Sequence, residues 1–139
     1  MSSMEQAIVQ KLISSGPITA LVGTSPARIQ WDRRPQAAAL PSITLSNISG
    51  APLYSDEGSA GLVMRRVQID CWADDSTEAK TLANAVSLAL RQPEMVSAGF
   101  SFEGVFPENT IDFVEQEQGE TPIFRRMLEY EFWFLGDEI

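Results

Sequence analysis

Histidine is absent from the 139 residues, which removes Ser-His-Asp and Cys-His nucleophile systems and the commonest side-chain ligand of zinc and other transition metals. Cysteine occurs once, at Cys71, so no disulfide can form within the chain, a composition suited to a reducing compartment. No stretch approaches the ~18 consecutive apolar residues that span a bilayer. The opening MSSMEQAIVQ has neither the basic nor the continuous apolar segment of a secretory signal. The chain is therefore expected to be soluble, away from membranes, and not exported by that route. Phosphate-cradling glycine loops, dinucleotide-binding glycine triplets and calcium-loop spacing are missing too, so neither a nucleotide nor calcium has local support. The residues point to no enzyme and no cofactor.

Base is scarce where acid is plentiful. Residues 1–91 hold eight Lys/Arg and eight Asp/Glu, whereas residues 92–139 hold two Arg and eleven acids, so the net charge of −9 lies in the last third. Such a chain repels phosphate backbones, and specific DNA binding by counterion release is not expected. The remaining composition, 44% apolar and 21% charged, is that of a globular domain, and a chain of this length buries roughly two-thirds of its unfolded surface. No repeat and no flexible linker divides it, so residues 1–139 are expected to form one domain.

Periodicity gives the elements. Met4, Ala7, Ile8 and Leu12 predict a helix from Ser3 to Ser14 ended by Gly16-Pro17, and Pro17 opens a short second helix closed by Gly23. Ala27–Trp31 reads as a short strand, followed by the loop Asp32–Pro41 and a strand from Ser42 to Ser49. Gly50–Gly61, with three glycines and Pro52, reads as a long mobile loop or hairpin tip. In Leu62–Ala73, Val63, Val67, Ile69 and Cys71 share one face and Arg66, Gln68 and Asp70 the other. Asp75 and Glu78 supply a helix cap, and Ala79, Leu82, Ala83, Val86, Ala89 and Leu90 an amphipathic helix stopped before Pro93. Period two returns through Phe100, Phe102, Val105, Ile111 and Phe113. It closes in a long central strand with Phe124, Leu128, Tyr130, Phe132 and Phe134 inside and Ile123, Arg125, Met127, Glu129, Glu131 and Trp133 outside.

This order predicts an α+β domain: a mainly antiparallel sheet of five to six strands with two main helices on one face. Met64, Trp72, Ile123, Met127 and Trp133 would lie on the other face, more apolar surface than a monomer usually exposes, which points to self-association.

Four stretches in order carry a likeness to a known family. They are GPITALVG (16–23), RIQWDRRPQAAALPSITLSNISG (28–50), VQIDCWADDSTEAKTLANAV (67–86) and IFRRMLEYEFWF (123–134). With them the chain resembles the bacteriophage tail-completion, or tail terminator, family from Met4 to Leu135. Arg33-Arg34 departs from the apolar or small residues of that loop. The resemblance implies a homo-oligomer, a hexameric ring of virion subunits at the tail–neck junction, assembled in the host cytoplasm. Such a ring caps the tail tube, contacts tail tube protein and a neck or connector protein, and lets DNA pass without specific binding. The alternative is a head-completion or neck adaptor on the connector side.

Several residues are candidates for this work, each with a plainer reading beside it. Arg33, Arg34, Leu53 and Tyr54 sit in the two long loops and are candidate partner contacts; Leu53 and Tyr54 could equally fold back on their own domain. Arg65, Arg66, Arg125, Arg126, Met127, Glu129 and Trp133 are candidate interface residues, the arginines pairing with acids such as Glu129 or Glu131 of a neighbour or ending as solvated strand tips. Glu103–Glu120 holds six acids and no base. Glu115, Glu117 and Glu120 are candidate lumen residues that keep DNA off the channel wall, or an ordinary wet surface. Cys71 reads as a buried small hydrophobe. Asp70, Asp74, Asp75 and Glu78 fall within nine residues, but capping explains the last two better than a metal does.

Overall fold

A computed structural model describes residues 3–24, 26–32, 39–55, 58–91, 95–97, 99–115 and 121–135, with backbone only at 3, 50–55, 58–62 and 95. In chain order the elements are α1 (Ser3–Ile13), α2 (Gly16–Val22), β1 (Ile29–Trp31), β2 (Ser42–Ser55), β3 (Gly58–Ala73), α3 (Ser76–Leu90), β4 (Met95–Ser97), β5 (Phe100–Glu115) and β6 (Ile123–Leu135).

The helices begin and end where local chemistry dictates. Ser15 caps α2, its hydroxyl accepting from the Ile18 amide at 3.4 Å, with Pro17 in the first turn. Gly23 closes it at φ +85°, a conformation that strains any side chain, and its amide donates to the Thr19 carbonyl at 2.9 Å. The Asp75 carboxylate accepts from the Glu78 amide at 2.7 Å and caps α3. Along α3 the buried positions are Ala79, Leu82, Ala83, Ala85, Val86 and Leu90, the stripe that the 3.6-residue period requires.

The strands form one six-stranded sheet in the order β1-β2-β3-β6-β5-β4. Four of its five pairings are antiparallel; β1 runs parallel to β2, so the sheet is mixed. A single buried cluster joins Met4, Ile8 and Leu12 of α1, Ile18 and Val22 of α2 and the α3 stripe to Ile43, Leu45, Val67, Ile69, Leu128, Tyr130, Phe132 and Phe134 of the strands. Alternation therefore commits one face of β2, β3 and β6 to the core. Phe102 and Phe132, with ring centroids 5.4 Å apart, and Phe102 and Phe134, at 6.1 Å, extend that core onto β5.

Two segments extend the sequence reading. Gly50–Gly61, expected as a long mobile loop or hairpin tip, takes the second form: it is largely the far end of the β2–β3 hairpin, paired as far as Ser55 with Gly58. Its glycine and proline fall beside register shifts at Asn47/Ser49 and Pro52/Tyr54, where such residues are tolerated on an edge. β5 is one strand of 16 residues that joins the Phe100–Val105 and Ile111–Phe113 patterns across the gap between them, because a bulge between Pro107 and Asn109 absorbs the proline.

Candidate functional site

The sheet face turned away from the core cluster carries six of the candidate residues: Arg66, Glu115, Arg125, Met127, Glu129 and Trp133. Register places Trp72, Arg125 and Phe113 in one row, Asp70, Met127 and Ile111 in the next, then Gln68, Glu129 and Asn109, and then Arg66, Glu131 and Phe106. Arg125 organises the first two rows. Its guanidinium carbon lies 4.3 Å from the Phe113 ring centre and 5.1 Å from that of Trp72. The same group donates to Asp70 Oδ1 at 3.1 Å and meets Glu115 Oε1 at 3.0 Å. A cation held between two rings and two carboxylates is fixed in place and neutralised. Asp70, 5% exposed, also accepts from Gln68 Nε2 at 2.9 Å.

Higher on the face, Arg66 donates to Glu131 Oε2 at 2.9 Å and lies 3.9 Å from Glu108. The hydrogen bond to Glu131 raises the Arg66 pKa above its ordinary value, against a smaller opposing effect of burial. Trp133 donates to Glu131 Oε1 at 3.3 Å. Met127 is 6% exposed, although it points away from the core. Phe106, Ile111 and Phe113 remain exposed, and the Phe106 ring folds over Gly104, where an added Cβ would meet it at 2.6 Å. The face is thus apolar and aromatic, with both of its arginines paired inside the chain.

The other candidates are scattered. Arg126 lies on the core side and grips Asp112 in a fork, Nε to Oδ1 at 2.7 Å and Nη2 to Oδ2 at 2.9 Å. That hydrogen bond holds Asp112 below the usual carboxylate range, and desolvation opposes it more weakly. Arg65, half-buried on β3, has a buried Nε without a hydrogen-bond partner among the described residues. Glu129 is half-buried in its row. Leu53 and Tyr54 lie on β2, on a strand rather than the loop expected for them, with backbone alone described; Arg33, Arg34, Glu117 and Glu120 fall outside the described residues. Cys71 is fully buried, and burial pushes its thiol pKa up, away from reactivity. Of the four clustered acids, Asp70 pairs with Arg125 and Asp75 caps α3. Among the described residues no three Asp, Glu or Cys gather as a metal would need, and no helix is long and apolar enough to cross a membrane.

Sequence reasoning missed the Asp70–Arg125–Glu115 group with its two rings and the Asp112–Arg126 fork. Alternation placed Asp70 and Arg125 on one face, but only the register between β3 and β6 sets them side by side.

Comparisons agree with this architecture. A chain from the virion of a native gene transfer agent particle is similar over 96% of this chain and 95% of its own, at 21% identity and a TM-score of 0.75. The gp17 protein of bacteriophage SPP1 is similar over 99% and 91%, at 16% identity and a TM-score of 0.56. These likenesses show a shared fold. No curated protein sequence matches the chain. The match to the family described as Tail completion protein gp17 runs over residues 6–135, nearly the whole sequence and every strand of the sheet, and the chain belongs to that family of phage-type virion proteins.

Proposed function

We propose that this tail completion protein assembles as a ring, six copies around the tail axis, on the head-proximal end of the tail tube. There it ends tube polymerisation and offers the surface to which the neck or head connector joins. Family membership across residues 6–135 carries this reading. The sheet supports it, because one face is packed on helices while the other presents Phe106, Ile111 and Phe113 to solvent. The work is that of a structural subunit whose contacts, not a reaction, are the function.

In this reading Arg33, Arg34, Leu53 and Tyr54 contact the tube or the neck. Met127, Glu129 and Trp133 belong to the face that a neighbour covers. The arginines act chiefly by ordering that face, since Arg66, Arg125 and Arg126 are already paired within the chain.

Electron micrographs of particles made without the protein test the reading directly. Loss of a terminator gives overlong tails without heads. Free tails of normal length would instead assign the protein to the connector side.

A further inference from the structure

Among the described residues the sheet has two open edges, and its hydrogen-bond alternation shows which backbone groups point out of them. The Ile43 amide donates to the Arg28 carbonyl and the Leu45 carbonyl accepts from the Asp32 amide, so Ile43 and Leu45 turn toward β1, and Thr44 and Ser46 toward β3. Carried through the registers, Ile69 and Cys71 turn toward β6, Met127 and Arg125 toward β5, and Ile111 and Phe113 back toward β6. Thr110, Asp112 and Val114 must then point outward. An independent contact agrees: the Thr110 amide donates to the Asn109 side chain at 2.9 Å and not to β6.

β4 covers β5 only at Phe100–Phe102. From Asn109 to Glu115 the outer edge is regular, with no proline or bulge, and among the described residues no strand lies beyond it. Long unprotected edges of this kind are templates for another strand. At the other end of the sheet, the same alternation turns Arg28, Gln30 and Asp32 of the β1 segment inward and Ile29 and Trp31 outward.

The two edges match in height. Ile29 shares a row with Ile43, Cys71, Arg126 and Asp112, and Trp31 shares one with Leu45, Ile69, Leu128 and Thr110. β1 and β5 run in opposite directions across the sheet, so copies standing side by side would bring them together antiparallel.

We infer that copies of this chain join head to tail by pairing the outer edge of β5, Asn109–Glu115, with the outer edge of β1 in a second copy. The sheet then continues from subunit to subunit. A contact between two different edges propagates, and closes into a ring where the rotation allows. The inference rests on the ring reading above and specifies how the ring is held.

Two variants test it, both in assembled particles and in concentrated purified protein. Val114→Pro removes an outward amide and leaves the β5–β6 ladder intact; circular dichroism should show a folded chain and light scattering a monomer, while Val114→Ala assembles normally. In a Cys71→Ser background, Gln30→Cys with Ile111→Cys places two exposed thiols in one row on the bare face. Oxidation should link copies into a ladder on denaturing gels, and neither single cysteine should. An assembly that persists in Val114→Pro, or that scatters as an intact oligomer yet yields no ladder, overturns the edge pairing and leaves the ring standing. Monomers throughout, in particles as in solution, overturn the ring itself.

Discussion

Arg126 and Asp112 oppose each other on β6 and β5, and their fork is the best-formed ion pair among the described residues. The hydrogen bond from Arg126 depresses the Asp112 pKa from its ordinary value near 3.8. A carboxylate depressed by folding contributes stability above its unfolded value, and that contribution is lost as pH falls through the folded one. Asp112→Asn should therefore lower the urea midpoint at neutral pH, by an amount that shrinks as pH drops below about 4. The side chain is 55% exposed, so the loss is modest and shrinks with salt. A gap between variant and native protein that stays constant from pH 7 to pH 2.5 would assign Asp112 no electrostatic part. None of this was legible in the linear sequence. Arg126 read as a candidate partner of an acid on a neighbour, and only the β5–β6 register, across 14 residues of sequence, sets Asp112 opposite it. Cys71 was legible, since its place on an apolar strand face already implied burial.

At the scale of elements, legibility followed the strength of the local signal. α3 carries a capping acid, a full apolar stripe and a proline just beyond it, and its observed span, Ser76–Leu90, lies where those three signals place it. β6 was legible because five apolar residues alternate with polar ones over its length. The far halves of β2 and β5 were not, because glycine and proline weigh against strand while cross-strand pairing, which no local pattern reports, holds them in it. β1 was legible within Ala27–Trp31, but its parallel pairing was not: three residues suffice once Arg28 and Asp32 bond the β2 backbone at 2.8 and 2.7 Å. The cap of α3 gives a clean measurement. Asp75→Ala removes the only side-chain acceptor shown for the Glu78 amide and should cost about 1 kcal/mol, or roughly 3–5 °C in Tm, by calorimetry. Asp75→Asn should recover most of it, whereas an unchanged Tm in the alanine variant would mean that water caps the helix equally well.

For the whole molecule, the decisive matter is where its net charge of −9 acts. Counted along the chain, Glu103–Glu120 is a run of six acids without a base, and a ring of copies would set it around a channel as a strongly negative wall. The fold divides that run. Asp112 is held by Arg126, Glu115 by Arg125, which Asp70 shares, and Glu108 lies beside Arg66, which Glu131 shares, so basic residues of β3 and β6 weaken the field of these three. Glu115 then serves the ordering of the bare sheet face more than any field in a lumen. Of the run's described acids Glu103 alone has no ion pair, and Glu117 and Glu120, which follow β5 in the sequence, lie outside the described residues. A channel that keeps DNA from adhering by repulsion should accordingly depend on Glu117 and Glu120 and not on Glu115. Particles with Glu117→Gln and Glu120→Gln should assemble with normal tails but eject DNA more slowly, most visibly at low salt, where screening is weakest. Glu115→Gln should instead weaken thermal stability by loosening Arg125 between Phe113 and Trp72, and leave ejection unchanged. The opposite pattern, slow ejection with Glu115→Gln and normal ejection with the double variant, would place the channel wall on the β5 face itself.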